Sequence, residues 1–473
     1  MKRLLALMMA ILMVCMVSAC SDNGNKTSSK SAESSGGADT SEGADTSSTG
    51  GNSEASGEVA ELDFMFWGGA EEKAAVEQIV EKFNTEYDGK IHVTPQHVPD
   101  EYAQKLSSMI AAGDAPDIAY VPSGSCVPYA MDGTILFVED ALGDDTAFLD
   151  GILENDQWKV EGKTAFLSSA HETLMITYNK DIFDELGVDY PPTKYEDALT
   201  WDEFSELCKK LTVDRNGNDA TSPDFDPTNV KHYGFSTSFG INNWYPMLRS
   251  MGSDILTDDD SNTNFDSPEM IDLMTKLQNL MVEDHVSPSV TDVSSNPDPT
   301  ELMLTGQVAM IIDGNWSFIT YAEEDFNVGC TFLPDMGNGS YTISAPGVTA
   351  MFSSTKYPDE ALEFYKYSLD TEKGATDLYQ NGLWQPIYKE YYTDPDKIAF
   401  WAETGTRPEE FVSVVVENIE KNVCLMPTQF ITDYSQIGNV LNPAIDAILR
   451  GESKPEDALK EVQETINSSG FYK

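Results

Sequence analysis

The chain predicts an α/β protein whose opening strands form a parallel sheet covered by helices on both faces. Three observations carry this: a β-α-β-α-β alternation at the start of the folded portion, the length of that portion, and its composition. Leu62–Phe66 reads as a strand, and Val76, Ile79, Val80, Phe83 and Tyr87 then recur at helical spacing across Glu71–Tyr87. Ile91–Thr94 is a second strand. Tyr102, Leu106, Met109 and Ile110 mark a second helix, which Gly113 can end, and Asp117–Val121 gives a third strand. Strands alternating with helices argue for parallel pairing. In such sheets ligands sit at the carboxyl ends of the strands, so the loops after Phe66 and Val121 are the first places to look. A folded body from about residue 60 to 473 is too long for one ordinary core and predicts two domains. With 40% hydrophobic and 10% aromatic residues, its composition is that of a globular protein.

Further along, Thr200-Trp201-Asp202-Glu203 has the form of a capping box, with Phe204, Leu207, Cys208 and Leu211 following on one helical face. Pro358 opens a helix over Asp359–Leu369, Pro455 begins the last one, and Pro268–Asp284 is a helix between loops rich in Asp and Ser.

What precedes the body is of a different kind. Lys2 and Arg3 stand before an apolar run, Leu4–Val17, which ends in Val17-Ser18-Ala19-Cys20. A basic start, a short apolar core and small residues before a cut make a secretory signal over residues 1–19, too short for a comfortable membrane span. From Ser21 to about Gly57 no aromatic or large aliphatic residue occurs. Such a segment cannot bury enough apolar surface to offset its ordering entropy, so residues 20–59 are expected to be a disordered tether. As a flexible coil it reaches roughly 30–36 Å. The formal charge is −51, or −53 once Lys2 and Arg3 are removed with the signal. That field disfavours nucleic acid and anionic membrane surfaces. Beyond Cys15 and Cys20, the cysteines at 126, 208, 330 and 424 are scattered, without C-x-x-C or metal spacing, and leave any pairing open. No metal or cofactor is expected.

Two resemblances add to this. Cys20 sits where the signal is cut, so Val17–Cys20 resembles the lipobox of bacterial lipoproteins; that implies a diacylglyceryl group on Cys20 and a membrane-held, extracytoplasmic protein. Lys105-Leu106 with Ala112-Gly113-Asp114-Ala115-Pro116-Asp117 is similar to the "KL…AAGDAPD" segment of extracellular solute-binding proteins of the sugar-binding type. Tyr178–Phe183 resembles their "YNKDLF" segment, Thr200–Phe204 "TWDEF", Ile312–Trp316 "INGPW", and Gly451–Leu459 "GKSPEEAL". These follow the family's order along nearly the whole body. The resemblance implies two α/β lobes, each a sheet flanked by helices, closing on a ligand about a hinge. One lobe holds about 60–170 and 330–380 and the other about 175–328 and 385–473, with crossings near 170–175, 329–334 and 380–386. It also implies a monomer that captures a mono- or oligosaccharide and delivers it to the permease subunits of an ABC importer, with no chemistry on the ligand.

Sugars present hydroxyls at their edges and C–H groups on their faces, so a sugar site needs aromatic plates beside carboxylate, amide and backbone partners. Of the seven tryptophans, Trp67 follows the first strand directly, before Gly68-Gly69, where the backbone can approach a ligand. Trp316 takes the "INGPW" position that stacks on a sugar in maltose-binding relatives. Trp244 and Tyr245 resemble the relatives' aromatic pocket wall, and Trp384 stands near the third crossing. Trp158 and Trp201 read as structural. Glu172, six residues before Tyr178, matches a glutamate that bonds sugar hydroxyls in those relatives. His171 beside it is a further donor, while Ser123, Gly124 and Ser125 offer hydroxyls and amides after the third strand; Asp313 and Glu71 are weaker candidates. The family's usual charged partners are missing at Pro122–Ser125, which separates this chain from maltose specificity.

Three patterns fail their own requirements. Gly162-Lys163-Thr164 ends like a P-loop, but Gln157 stands where the first glycine belongs. His171-Glu172 begins like H-E-x-x-H but meets Met175 at the fifth place. Asp214–Asp219 starts like a calcium loop, yet has Asp219 at the glycine position and Phe225 at the last ligand position, so a turn rich in Asn and Asp is the better reading. A surface glycosidase, or the same fold holding a polyamine or peptide, remain the alternatives at this level.

Overall fold

The computed structural model describes residues 59–288, 298–419, 421–432 and 434–472. The signal, Cys20 and the expected tether up to residue 58 lie outside the described residues. Two sheets organise the body. The first takes β1 (Ala60–Phe66), β2 (Ile91–His97), β3 (Ile118–Val121), β4 (Ile135–Leu136), β5 (Gln157–Val160) and β6 (Lys163–Ser168) from the start of the chain. The second takes β7 (Leu174–Asn179), β8 (Val213–Asp214), β9 (Val230–Ser236), β10 (Val308–Gly314) and β11 (Val328–Thr331). After β12 (Thr342–Ser344), the chain returns to the first sheet as β13 (Val348–Phe352), and β14 (Val423–Leu425) pairs with β12.

The order in the first sheet is β2-β1-β3-β13-β6-β5, with β4 beside β13. Its opening strands are parallel, as the β-α-β alternation predicts, with α1 (Ala70–Glu86) and α2 (Tyr102–Ala112) as the crossovers. The remainder is antiparallel, so the sheet is mixed rather than parallel throughout. The reason is local. Val160 pairs with Lys163 across Glu161 and Gly162, whose φ values of 51° and 83° make the two-residue turn that joins twisted hairpin strands. The would-be P-loop glycine is therefore a hairpin turn. The second sheet runs β11-β7-β10-β9-β8 and is also mixed.

Helix boundaries follow the sequence signals. Gly113, at φ 74°, closes α2. Thr200 and Glu203 make the reciprocal capping box, and Phe204, Cys208 and Leu211 bury the face it starts. Cys126, Cys208, Cys330 and Cys424 are free, buried thiols, small apolar fillers rather than crosslinks. Both oxygens of Asp214 are occupied by N–H groups of Asn216, Asn218 and Asp226 at 2.8–3.1 Å, so it organises a turn. No helix among the described residues is long and apolar enough to cross a membrane.

The chain passes between the sheets in three places that lie side by side. Residues 169–173 join β6 to β7. Ser169 donates its N–H to Gly347, and Ala345 donates to the Glu172 carbonyl, so the return passage lies against the first at Ala345–Gly347. That is further along the chain than the 329–334 expected, because Val328–Thr331 is still a strand of the second sheet. The third passage bonds through His171 N–H to the Gln385 carbonyl, at 2.9 Å. It then stays with the first sheet's side a little longer than expected, since Leu153 donates to Ile387 and Lys389 to Gly151.

Candidate functional site

A cleft of about 740 Å³ opens where these passages meet the carboxyl ends of β1 and β3. Its near wall begins with Trp67. That ring stands edge-on to Tyr102 and Tyr120, with centroids 4.9 and 5.0 Å away. Tyr102 is itself pinned, its hydroxyl donating to the Met65 and Tyr120 carbonyls at 3.0 and 2.8 Å. Trp384 continues the wall, 6.1 Å from Tyr120. Rings locked in this way present a fixed apolar face. Gly68 has φ +124°, a conformation open to glycine alone, and the Glu72 carboxylate occupies the place a Cβ would take. This tight turn swings α1 so that Glu71 and Glu72 in its first turn face the cleft.

The opposite wall comes from the other sheet's side. Trp316, Ile319 and Thr320 follow β10, Asn242 projects from the helix Ile241–Ser250, and Met426 follows β14. The Trp316 ring lies directly on Gly314, where any Cβ would overlap its six-membered ring. Asn315, fully buried, fixes the turn between them: its amide donates to the Leu383 carbonyl at 3.1 Å and accepts from Thr173 N–H at 3.3 Å. Asp313 is a support rather than a lining group of this cleft. It accepts from Tyr321, Thr300 and the Gly314 N–H at 2.7–3.1 Å. Trp316 also lines a neighbouring hollow of about 580 Å³.

The floor is Ser169, Ala170 and Glu172. Burial pushes the Glu72 carboxyl up to about 7. Burial first, then the charges of Glu72 and Asp156, holds Glu172 well above the usual carboxylate range. Among the described residues no Lys, Arg or His lines the cleft.

Six residues singled out in the sequence therefore meet here: Trp67, Glu71, Ser123, Glu172, Trp316 and Trp384. Ser125 and Asp313 do not line it, nor do four others. His171 is 1% exposed and points away from Glu172, as neighbours along extended chain must, to bond Asp156 through Nδ1 at 2.8 Å. Trp244 and Tyr245 are each 2% exposed; Asn242 takes the cleft-facing side of their helix and turns them into the core, with the Tyr245 hydroxyl on Asp254. Gly124 is exposed in the first turn of the helix Ser123–Met131 and does not line the cleft. Glu72, Tyr120 and Asn242 were missed. For Glu72 a signal existed: an acid pair one residue after the Gly68-Gly69 turn, at a strand's carboxyl end.

The model of the family described as bacterial extracellular solute-binding protein matches residues 78–406, more than half of the chain. The chain belongs to that family. It is a solute-binding protein rather than an enzyme. The galactooligosaccharide-binding protein of Bacillus subtilis is 23% identical over 419 residues, which cover 88% of this chain and 91% of that one. In solved structures the fold recurs in an ABC substrate-binding protein from Listeria monocytogenes in complex with cycloalternan. Its TM-score is 0.75 at 23% identity, covering 88% of this chain and 100% of the other. The maltose/maltodextrin-binding domain from Bdellovibrio bacteriovorus bound to maltotriose gives 0.67 at 19% identity, covering 87% and 99%. These neighbours share the two-lobed arrangement of sheets flanked by helices.

Proposed function

We propose that this solute-binding protein captures a mono- or oligosaccharide in the cleft of Trp67 and Trp316 and delivers it to the permease subunits of an ABC importer, while a lipid on Cys20 holds it at the outer face of the cell membrane. The observation that carries the ligand class is the lining itself. Aromatic faces stand on both walls, with Glu172, Glu72, Ser123 and Asn242 between them as hydroxyl partners. Relatives named for oligosaccharides support it. The two lobes, one built on each sheet, hinge at the three passages, 169–173, 345–347 and the stretch beyond 385, and a bound sugar draws them together.

Calorimetry against neutral, uronic and phosphorylated sugars tests the reading. Neutral sugars should bind, and anionic ones should bind at least tenfold more weakly, because two enclosed carboxyls face them and no cation does. On binding, the radius of gyration from small-angle scattering should fall. Tight binding of a uronate, or binding at constant radius, would contradict this account.

The anchor has its own test. Cys20→Ser should leave the protein as unprocessed precursor or release it into the medium. A variant that stays processed and membrane-bound without lipid would remove the lipoprotein part of the proposal.

A further inference from the structure

Glu72 and Glu172 face one space from different parts of the chain, the first turn of α1 and the 169–173 passage. Neither carboxyl takes a side-chain hydrogen bond or an ion pair from any described residue. The start of α1 accounts for an acid in its first turn, since free N–H groups there favour negative charge. Yet the Glu72 oxygens accept no bond from those groups; the side chain bends over Gly68 instead. Elsewhere in the protein, enclosed acids are matched: Glu410 pairs with Lys180 at 2.7 Å, Asp156 with His171, and Asp313 accepts three donors. Burying carboxyls without a counter-charge is costly, and a cation brought by the ligand relieves the cost. An ammonium donates three charge-assisted hydrogen bonds, enough to engage both groups. Aromatic faces beside it, Trp67 and Tyr120, add cation–π attraction.

We propose that the preferred ligand is an amino sugar whose protonated amine seats between Glu72 and Glu172 while its ring lies on the aromatic walls. This rests on the carbohydrate reading above and sharpens it. A merely acidic patch on an acidic protein would attract cations of any shape; here the carboxyls stand within a cleft of about 740 Å³ walled by aromatic rings.

The test uses matched pairs that differ only by a 2-amine in place of a 2-hydroxyl on each ring: glucose and glucosamine, galactose and galactosamine, cellobiose and the β-1,4-linked glucosamine disaccharide, with putrescine and spermidine alongside. Calorimetry at pH 7 should show the amine member binding at least tenfold more tightly in whichever pair binds. The ratio should fall to about one in the double variant Glu72→Gln/Glu172→Gln. If the hydroxyl member binds as well as the amine, the amino-sugar inference fails and the carbohydrate reading stands. If the polyamines bind and no sugar does, both fail. An advantage for the amine that survives the double variant would also overturn the inference, because the attraction would then come from elsewhere.

Discussion

Trp316→Ala should weaken sugar binding by about 2–4 kcal/mol, roughly 30- to 700-fold, while changing stability by only about 1 kcal/mol. The asymmetry follows from where the ring stands. One face rests on Gly314 and the other borders the open cleft, so the indole is only partly buried without ligand and loses less on truncation than a core ring. A bound pyranose would cover that outer face and make the ring a buried anchor. Trp316→Phe should retain part of the affinity, since a smaller aromatic face remains. Gly314→Ala is the sharper companion. It leaves the indole chemically intact but takes its seat, and should cost affinity with no atom of the plate removed. Unfolding and sugar binding measured on the same variants decide the matter. A core tryptophan would behave in the opposite sense, with several kcal/mol of stability lost and affinity per folded molecule unchanged.

Trp316 also marks what could be read from sequence. The strands, α1, α2 and the capping box at Thr200 were legible because each is written in local chemistry: apolar period, a terminal glycine, a reciprocal Thr–Glu pair. The position of the cleft was legible through the rule for carboxyl ends of strands, which points to the loops after Phe66 and Val121. Facing was not. Within Ile241–Ser250, Trp244 stands about 200° around the helix from Asn242 and Tyr245 about 100° further, and which of them meets the cleft depends on how the whole helix is packed. Local aromatic content favoured Trp244; packing chose Asn242. His171 failed for a related reason. Its neighbour Glu172 faces the cleft, so alternation along the extended passage sent the imidazole inward to Asp156. The mixed sheet was hidden too, because β13 arrives from a part of the chain about 180 residues after β6, and no local pattern encodes its direction.

Arg407→Met should destabilise the folded body by about 3–5 kcal/mol, through the backbone behind the cleft rather than through a lost ion pair. Arg407 is 7% exposed and pairs with no carboxylate among the described residues. It donates to the carbonyls of Tyr379 at 3.2 Å, Trp384 at 2.9 Å and Trp401, and lies 5.0 Å from the ring centroids of both Trp401 and Phe411. Burial pushes it down to about 9, so holding the charge inside is costly. It persists because a planar fork between two rings serves three carbonyls at once, of which, among the described residues, only that of Tyr379 also accepts a backbone N–H, from Gly382. Methionine fills similar volume but leaves those carbonyls without the charged donor, at roughly 1–3 kcal/mol each, with some recovered from the charge no longer buried. Arg407→Lys should rescue little, since a single ammonium cannot reach three divergent carbonyls or stack between the rings. Affinity should fall as well, because the Trp384 carbonyl is one of the three and its ring belongs to the aromatic wall. Urea midpoints for the three proteins check the claim. Equal midpoints for Arg407→Met and the parent would mean the desolvation cost of the buried cation cancels everything its hydrogen bonds return.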